Sequence, residues 1–178
     1  EFGQRFSRLW SDHEVIFEAL DHMPRSLCHG DFCFTNFIAR RLPSGEDQTV
    51  VLDWQYAGVR QIGSDIAGLI ADSSLIAVRR KVAKPEEFTE MILEGYVSGL
   101  QESGWKGDLR VARFACLATL AWHWTSINAL SLRNILQQPL SEENSLELKQ
   151  RLDEYVRRQE FLFRIGDEAR QLLAVLSK

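Results

Sequence analysis

Apolar positions along this chain follow one period at its start, another in a short middle stretch, and a third from Gly63 onward. Phe6, Leu9, Trp10, Val15, Phe17 and Leu20 recur among charged residues at an imperfect helical interval, and Pro24 closes the segment; this predicts a helix over 6–20. The middle stretch carries short apolar runs. Leu27-Cys28-His29 reads as a short buried strand, Phe37-Ile38-Ala39 as a second and Thr49 to Leu52 as a third. Leu42-Pro43-Ser44-Gly45-Glu46-Asp47 is turn chemistry, so the second and third strands should pair as a hairpin. Such a hairpin brings Asn36, just before its first strand, close to Asp53, just after its second.

From Gly63 onward the pattern is helical. One helix is predicted with Asp65 in its first turn and an end near Val78, and a second from Pro85 to about Glu102, with Gly104 and Gly107 punctuating before the next. Between Ala112 and Ala121 only Arg113 and Thr119 are polar, so this helix should be the buried centre of a bundle. Pro139 breaks the chain, and Ser141-Glu142-Glu143 begins one or two long terminal helices with Gly166 as an interruption. The expected class is α+β and predominantly helical.

Composition narrows the function. The 178 residues suffice for one sizeable core. With 45% hydrophobic and 26% charged residues and a net charge of −4, the chain is neither a disordered segment nor a basic nucleic-acid binder. No apolar run approaches the roughly 20 residues of a membrane span. Cys28, Cys33 and Cys116 lack metal-ligand spacing and read as reduced thiols of a cytoplasmic protein.

The polar groups of the middle stretch carry the chemistry. His29-Gly30-Asp31-Phe32-Cys33-Phe34-Thr35-Asn36, followed by Val50-Val51-Leu52-Asp53-Trp54, has the spacing of a kinase catalytic loop and its metal-binding aspartate. Gly30 in place of arginine and Trp54 after the aspartate resemble the aminoglycoside phosphotransferase and choline kinase-like family rather than the protein kinases. The resemblance continues through Asp53-Trp54-Gln55-Tyr56-Ala57-Gly58 and Gly63-Ser64-Asp65-Ile66-Ala67, and covers roughly residues 27 to 68. Gln55 departs from it, since the family more often has a carboxylate there.

The resemblance implies the C-terminal lobe of a protein-kinase-like fold, with a small β-hairpin carrying the catalytic loop and a helical bundle behind it. It implies an ATP- and Mg²⁺-dependent phosphotransferase acting on a small-molecule hydroxyl, with Asp31 accepting the hydroxyl proton and Asn36 and Asp53 holding the metal and, through it, the nucleotide. Gly30 would let the backbone turn, His29 would point back into the core, and Asp65 would either brace the loop through backbone hydrogen bonds or cap its own helix. No lysine precedes Lys81 and the only glycine before Gly30 is Gly3, so the N-terminal nucleotide-binding lobe is expected to lie outside residues 1–178, which alone should be poorly active.

Other features read as structure. Trp122-His123-Trp124 suggests a cage for a cation, but tryptophans at i and i+2 on a helix project about 200° apart, so core packing with an interior His123 is expected. Glu86, Glu87, Glu90, Glu94 and Glu102 fit a solvated helix surface, and Arg79-Arg80-Lys81 a helix end. Two other functions fit the motif: an inactive kinase-like binding module, and a metal-dependent phosphohydrolase using His29, Asp31 and Asp53. The second lacks further ligands at metal spacing among His13, His22 and His123.

Overall fold

The computed structural model describes residues 1–80, 84–139 and 145–177. Lys81 and the Ser141-Glu142-Glu143 helix start lie outside the described residues. The helices are α1 (Phe2–Ser11), α2 (His13–Asp21), α3 (Ile66–Arg80), α4 (Pro85–Glu102), α5 (Leu109–Leu136) and α6 (Ser145–Leu176). Four short strands, β1 (Arg25–Cys28), β2 (Phe37–Arg41), β3 (Asp47–Val51) and β4 (Gly58–Gln61), form two antiparallel pairs, β1 with β4 and β2 with β3. The class is α+β and mostly helical.

Helix α5 is the axis of the core. Phe114, Ala115, Cys116, Leu117, Ala118, Leu120 and Ala121 are fully buried, as the apolar run predicts, and α6 packs along it with Phe161, Leu162 and Ile165. Two ion-pair sets tie the bundle together on its outside: Arg113 bridges Glu90 and Glu168, and Arg164 binds Glu86. Two of the acidic positions on α4 are therefore used within the fold. Inside, Asn128 donates to Gln159 at 2.9 Å and Gln159 to Thr125 at 3.1 Å, a buried polar set between α5 and α6 whose members are satisfied together.

The first predicted helix is two helices. Asp12 sits at φ −87°, ψ 0°, ending α1 and opening α2. Tertiary contacts fix this break: the buried Trp122 indole donates to the Leu9 carbonyl at 2.8 Å, and Arg170 pairs with Asp12. Helical periodicity runs on across such a break because each half keeps its own apolar face. Gly166, expected as an interruption, lies inside a continuous α6, where its missing side chain admits Leu9; a Cβ there would come within 2.5 Å of Leu9 Cδ1.

The strands differ from the sequence reading at one end. Phe37 pairs with Val51 and Arg41 with Asp47, the expected hairpin. Strand β4 has no counterpart in that reading, and it pairs Leu27 with Val59, both about 70% exposed. Leu27 is thus not buried; only Cys28 of β1 turns inward. Among the described residues, no helix is long and apolar enough to cross a membrane.

Candidate active site

The end of β1 and the two ends of the β2/β3 hairpin converge on one loop. Hairpin pairing extends one step past the strands, with Leu52 N–H donating to the Asn36 carbonyl at 2.9 Å, which places Asn36 beside the Leu52-Asp53 corner. Asn36 Nδ2 reaches back to Asp31, donating to its carbonyl at 2.8 Å and to Oδ2 at 3.1 Å. Asp31 Oδ1 has no partner among the described residues, and the side chain is exposed. Asp31, Asn36 and Asp53 are therefore neighbours through backbone pairing and one side-chain amide.

His29, 1% exposed, locks this arrangement from within. Its Nε2–H donates to the Leu52 carbonyl at 2.6 Å, and its Nδ1 accepts the Asp31 N–H at 3.3 Å, so these partners set the tautomer with the proton on Nε2. The imidazole thus joins the segment bearing Asp31 to the one bearing Asp53. The Trp54 ring lies against it at 4.7 Å, edge on. Because His29 is spent on both bonds and buried, it is a positioning group in this geometry.

Asp65 precedes α3 rather than lying in its first turn, and its carboxylate turns away from that helix. Oδ2 accepts the His29 N–H at 2.6 Å and Oδ1 the Gly30 N–H at 2.9 Å. Of the two uses the sequence left open, bracing the loop is the one these bonds describe. Gly30 itself has φ +83°, and a Cβ there would lie 2.2 Å from the Tyr56 carbonyl oxygen, so the turn beside Asp31 excludes any side chain.

Asp53 is the one non-glycine residue with positive φ among the described residues, at φ 61°, ψ 60°. Aspartate tolerates this left-handed conformation better than most residues, yet it still stores strain where it occurs. The exposed carboxylate accepts a long 3.4 Å contact from Gln55 Nε2.

Among the described residues, no three His, Cys, Asp or Glu side chains gather into a metal cage. Asn36 and Asp53 instead offer hard oxygen donors at adjacent positions. That set suits magnesium, which commonly binds through one or two protein ligands and completes its shell with water and phosphate oxygens.

A cleft of about 550 Å³ opens beside Asp31. Its walls come from α2, β4, the start of α3 and the middle of α5, and include Phe17, Arg60, Asp65, Trp122, His123 and Trp124. His123 is exposed in this cleft, contrary to its expected interior place, while Trp122 beside it takes the core position. Asp72, half-buried on α3 near Asp31 but not lining this cleft, is a carboxylate that the sequence reading passed over. Burial and the nearby Asp31 charge raise its pKa above the ordinary carboxylate range, opposed by the Phe34 backbone N–H. It lies seven residues after Asp65, two helical turns along, and that spacing was the available signal.

No curated protein and no solved structure matches the chain. The model of the phosphotransferase enzyme family (APH) does match, over residues 1–107, which include both short sheets, the loop from His29 to Asn36, and Asp53 and Asp65. That span is more than half of the 178 residues, and the chain belongs to this phosphotransferase family.

Proposed function

We propose that this protein transfers the γ-phosphoryl group of ATP to a hydroxyl of a small molecule in a magnesium-dependent reaction. Family membership supplies the reaction class; the observation that carries the finer reading is the convergence of Asp31, Asn36 and Asp53 at one end of the hairpin, with Asp31 lining the cleft. Asp31 Oδ1 takes the proton of the acceptor hydroxyl while the acceptor oxygen bonds to the γ-phosphorus and the bond from that phosphorus to the ADP oxygen breaks. Asn36 aims the Asp31 carboxylate and, with Asp53, would hold the magnesium ion. When bound, the ion offsets the charge on the transferring phosphate. His29, Gly30 and Asp65 keep the loop in register and take no part in proton movement.

In this reading residues 1–178 form the catalytic-loop and acceptor-binding lobe of a kinase-like fold, and an N-terminal lobe covers the nucleotide. The test is phosphoryl transfer from ATP to a pool of hydroxyl compounds, followed by phosphorus NMR over long incubation. Slow transfer that falls by roughly 10²–10⁴-fold in Asp31→Asn is expected for loss of a general base. Transfer unaffected by the substitution would overturn the assignment of Asp31, and phosphate release that ignores the acceptor would favour hydrolysis instead.

A further inference from the structure

The cleft beside Asp31 has a definite charge inventory. Among the described residues lining it, the carboxylates are Asp31 and Asp65, and both Asp65 oxygens are held by the amides of His29 and Gly30. Asp65 keeps its charge but is engaged with the loop, so Asp31 is the carboxylate left to meet a ligand, and the proposed reaction needs it as a base. Facing the same space is Arg60, exposed on β4 and without an ion-pair partner among the described residues, together with the exposed imidazole of His123.

The rest of the wall mixes aromatic and apolar side chains with the hydroxyls of Ser64, Thr119 and Ser126 and the amide of Gln61. Phe17 is 48% exposed, Trp124 is half-buried, and the His123 ring stands edge-on to Trp124 at 6.0 Å between centroids. The acidic surface of α4 does not extend into this space; none of its glutamates lines the cleft, and Glu86 and Glu90 are already paired with Arg164 and Arg113.

A sugar bearing several ammonium groups needs several carboxylates around it, since each cation leaving water must be matched by an anion or a set of acceptors. This cleft has only one carboxylate not already engaged with the loop, Asp31, and the Arg60 guanidinium faces the same space. Its volume, about 550 Å³, falls within the range of roughly 300–1,000 Å³ that holds a drug-sized molecule.

We propose that the acceptor taken by this cleft is a compact hydroxyl compound with an apolar or aromatic ring and a single acidic group, the acid on Arg60 and the ring against Phe17 and Trp124, and that polyamine sugars are excluded. The proposal rests on the phosphotransferase reading only for the fate of the hydroxyl; the binding preference stands on the cleft alone.

The experiment is therefore a binding measurement without nucleotide or metal. Three matched probes share a phenyl ring and a hydroxyl and differ in charge: mandelate, its neutral amide, and phenylethanolamine. Kanamycin serves as the polyamine sugar. Affinities are read by ligand-observed NMR against the wild-type chain and against Arg60→Gln and Arg60→Glu, with circular dichroism checking that each variant folds.

Mandelate is expected to bind about tenfold tighter than phenylethanolamine, a difference of about 1.4 kcal/mol. Arg60→Gln should erase that preference and Arg60→Glu reverse it, while Trp124→Leu should weaken all three phenyl probes together. Equal binding of the acid and the amine, tighter binding of kanamycin, or a preference untouched by either Arg60 variant would overturn the proposal. Each of these results is independent of phosphoryl transfer. A charge preference in a chain that transfers no phosphate would leave this inference standing and sink the catalytic one.

Discussion

Asp65 gives the sharpest test of how the catalytic loop is held. Its two oxygens accept the His29 and Gly30 amides, and His29 is 1% exposed, so water cannot take over the first bond if the carboxylate is lost. Hydrogen bonds to a charged group contribute about 1.5–3 kcal/mol each. Asp65 is itself half-buried and the second amide is less enclosed, so the low end of the sum applies, and Asp65→Ala should cost about 3–4 kcal/mol. Asp65→Asn keeps one acceptor and turns an amide donor toward the other N–H, for a loss of about 2 kcal/mol.

With a urea m-value of about 2 kcal/mol/M, the Ala variant should shift the unfolding midpoint by about 1.5–2 M. Tryptophan fluorescence reads the midpoint, and hydrogen exchange of the His29 and Gly30 amides reads the loop directly. A helix cap predicts something different: a loss of about 1 kcal/mol with both amides as protected as before. That result, or any shift below about 0.5 kcal/mol, would refute the bracing role.

Further substitutions probe other contacts. Gly30→Ala places a Cβ within 2.2 Å of the Tyr56 carbonyl in a left-handed turn, and should cost at least about 2 kcal/mol in urea unfolding while weakening any nucleotide binding. Trp122→Phe removes the indole bond to Leu9 that holds the corner between α1 and α2; a loss of about 1–3 kcal/mol is expected, read as a lower thermal midpoint. Asp72 has a folded-state pKa raised by burial and by Asp31, so its ionisation penalises the folded state. That penalty is absent below the unfolded pKa and complete above the folded one, so the stability of Asp72→Asn relative to wild type should rise as pH increases through this interval. A pH-independent difference between the two would show that Asp72 is not destabilised by its surroundings.

The parts of the fold legible in the sequence are those fixed by local chemistry. The β2/β3 hairpin follows from the Pro-Ser-Gly turn between two apolar runs, and the burial of α5 from a stretch of ten positions of which eight are apolar. What escaped reading depends on contacts distant in sequence. The break at Asp12 is fixed by Trp122 and Arg170, more than a hundred residues on. Strand β4 exists only through its pairing with β1, and its exposed Val59 opposite an exposed Leu27 gives no alternation to detect.

In the site, the motif spacing marked Asp31, Asn36 and Asp53, and the hairpin brings the segments that carry them together. The cleft was not legible, because α2, β4 and α5 meet only in the folded chain. His123 was misplaced for a related reason. On a helix packed on several sides, which residue turns outward depends on the particular neighbours, and here Trp122 fills the space between α1 and α6.

The central claim is that Asp53 and Asn36 form half of a metal–nucleotide site, and a Mn²⁺ titration followed by electron paramagnetic resonance tests it most directly. The wild-type chain and Asp53→Asn are compared with and without ATP; the substitution is nearly isosteric at an exposed residue, so both should fold alike. Saturable Mn²⁺ binding that depends on ATP and disappears in the variant is expected. Equal weak binding by both chains, indifferent to ATP, would contradict it.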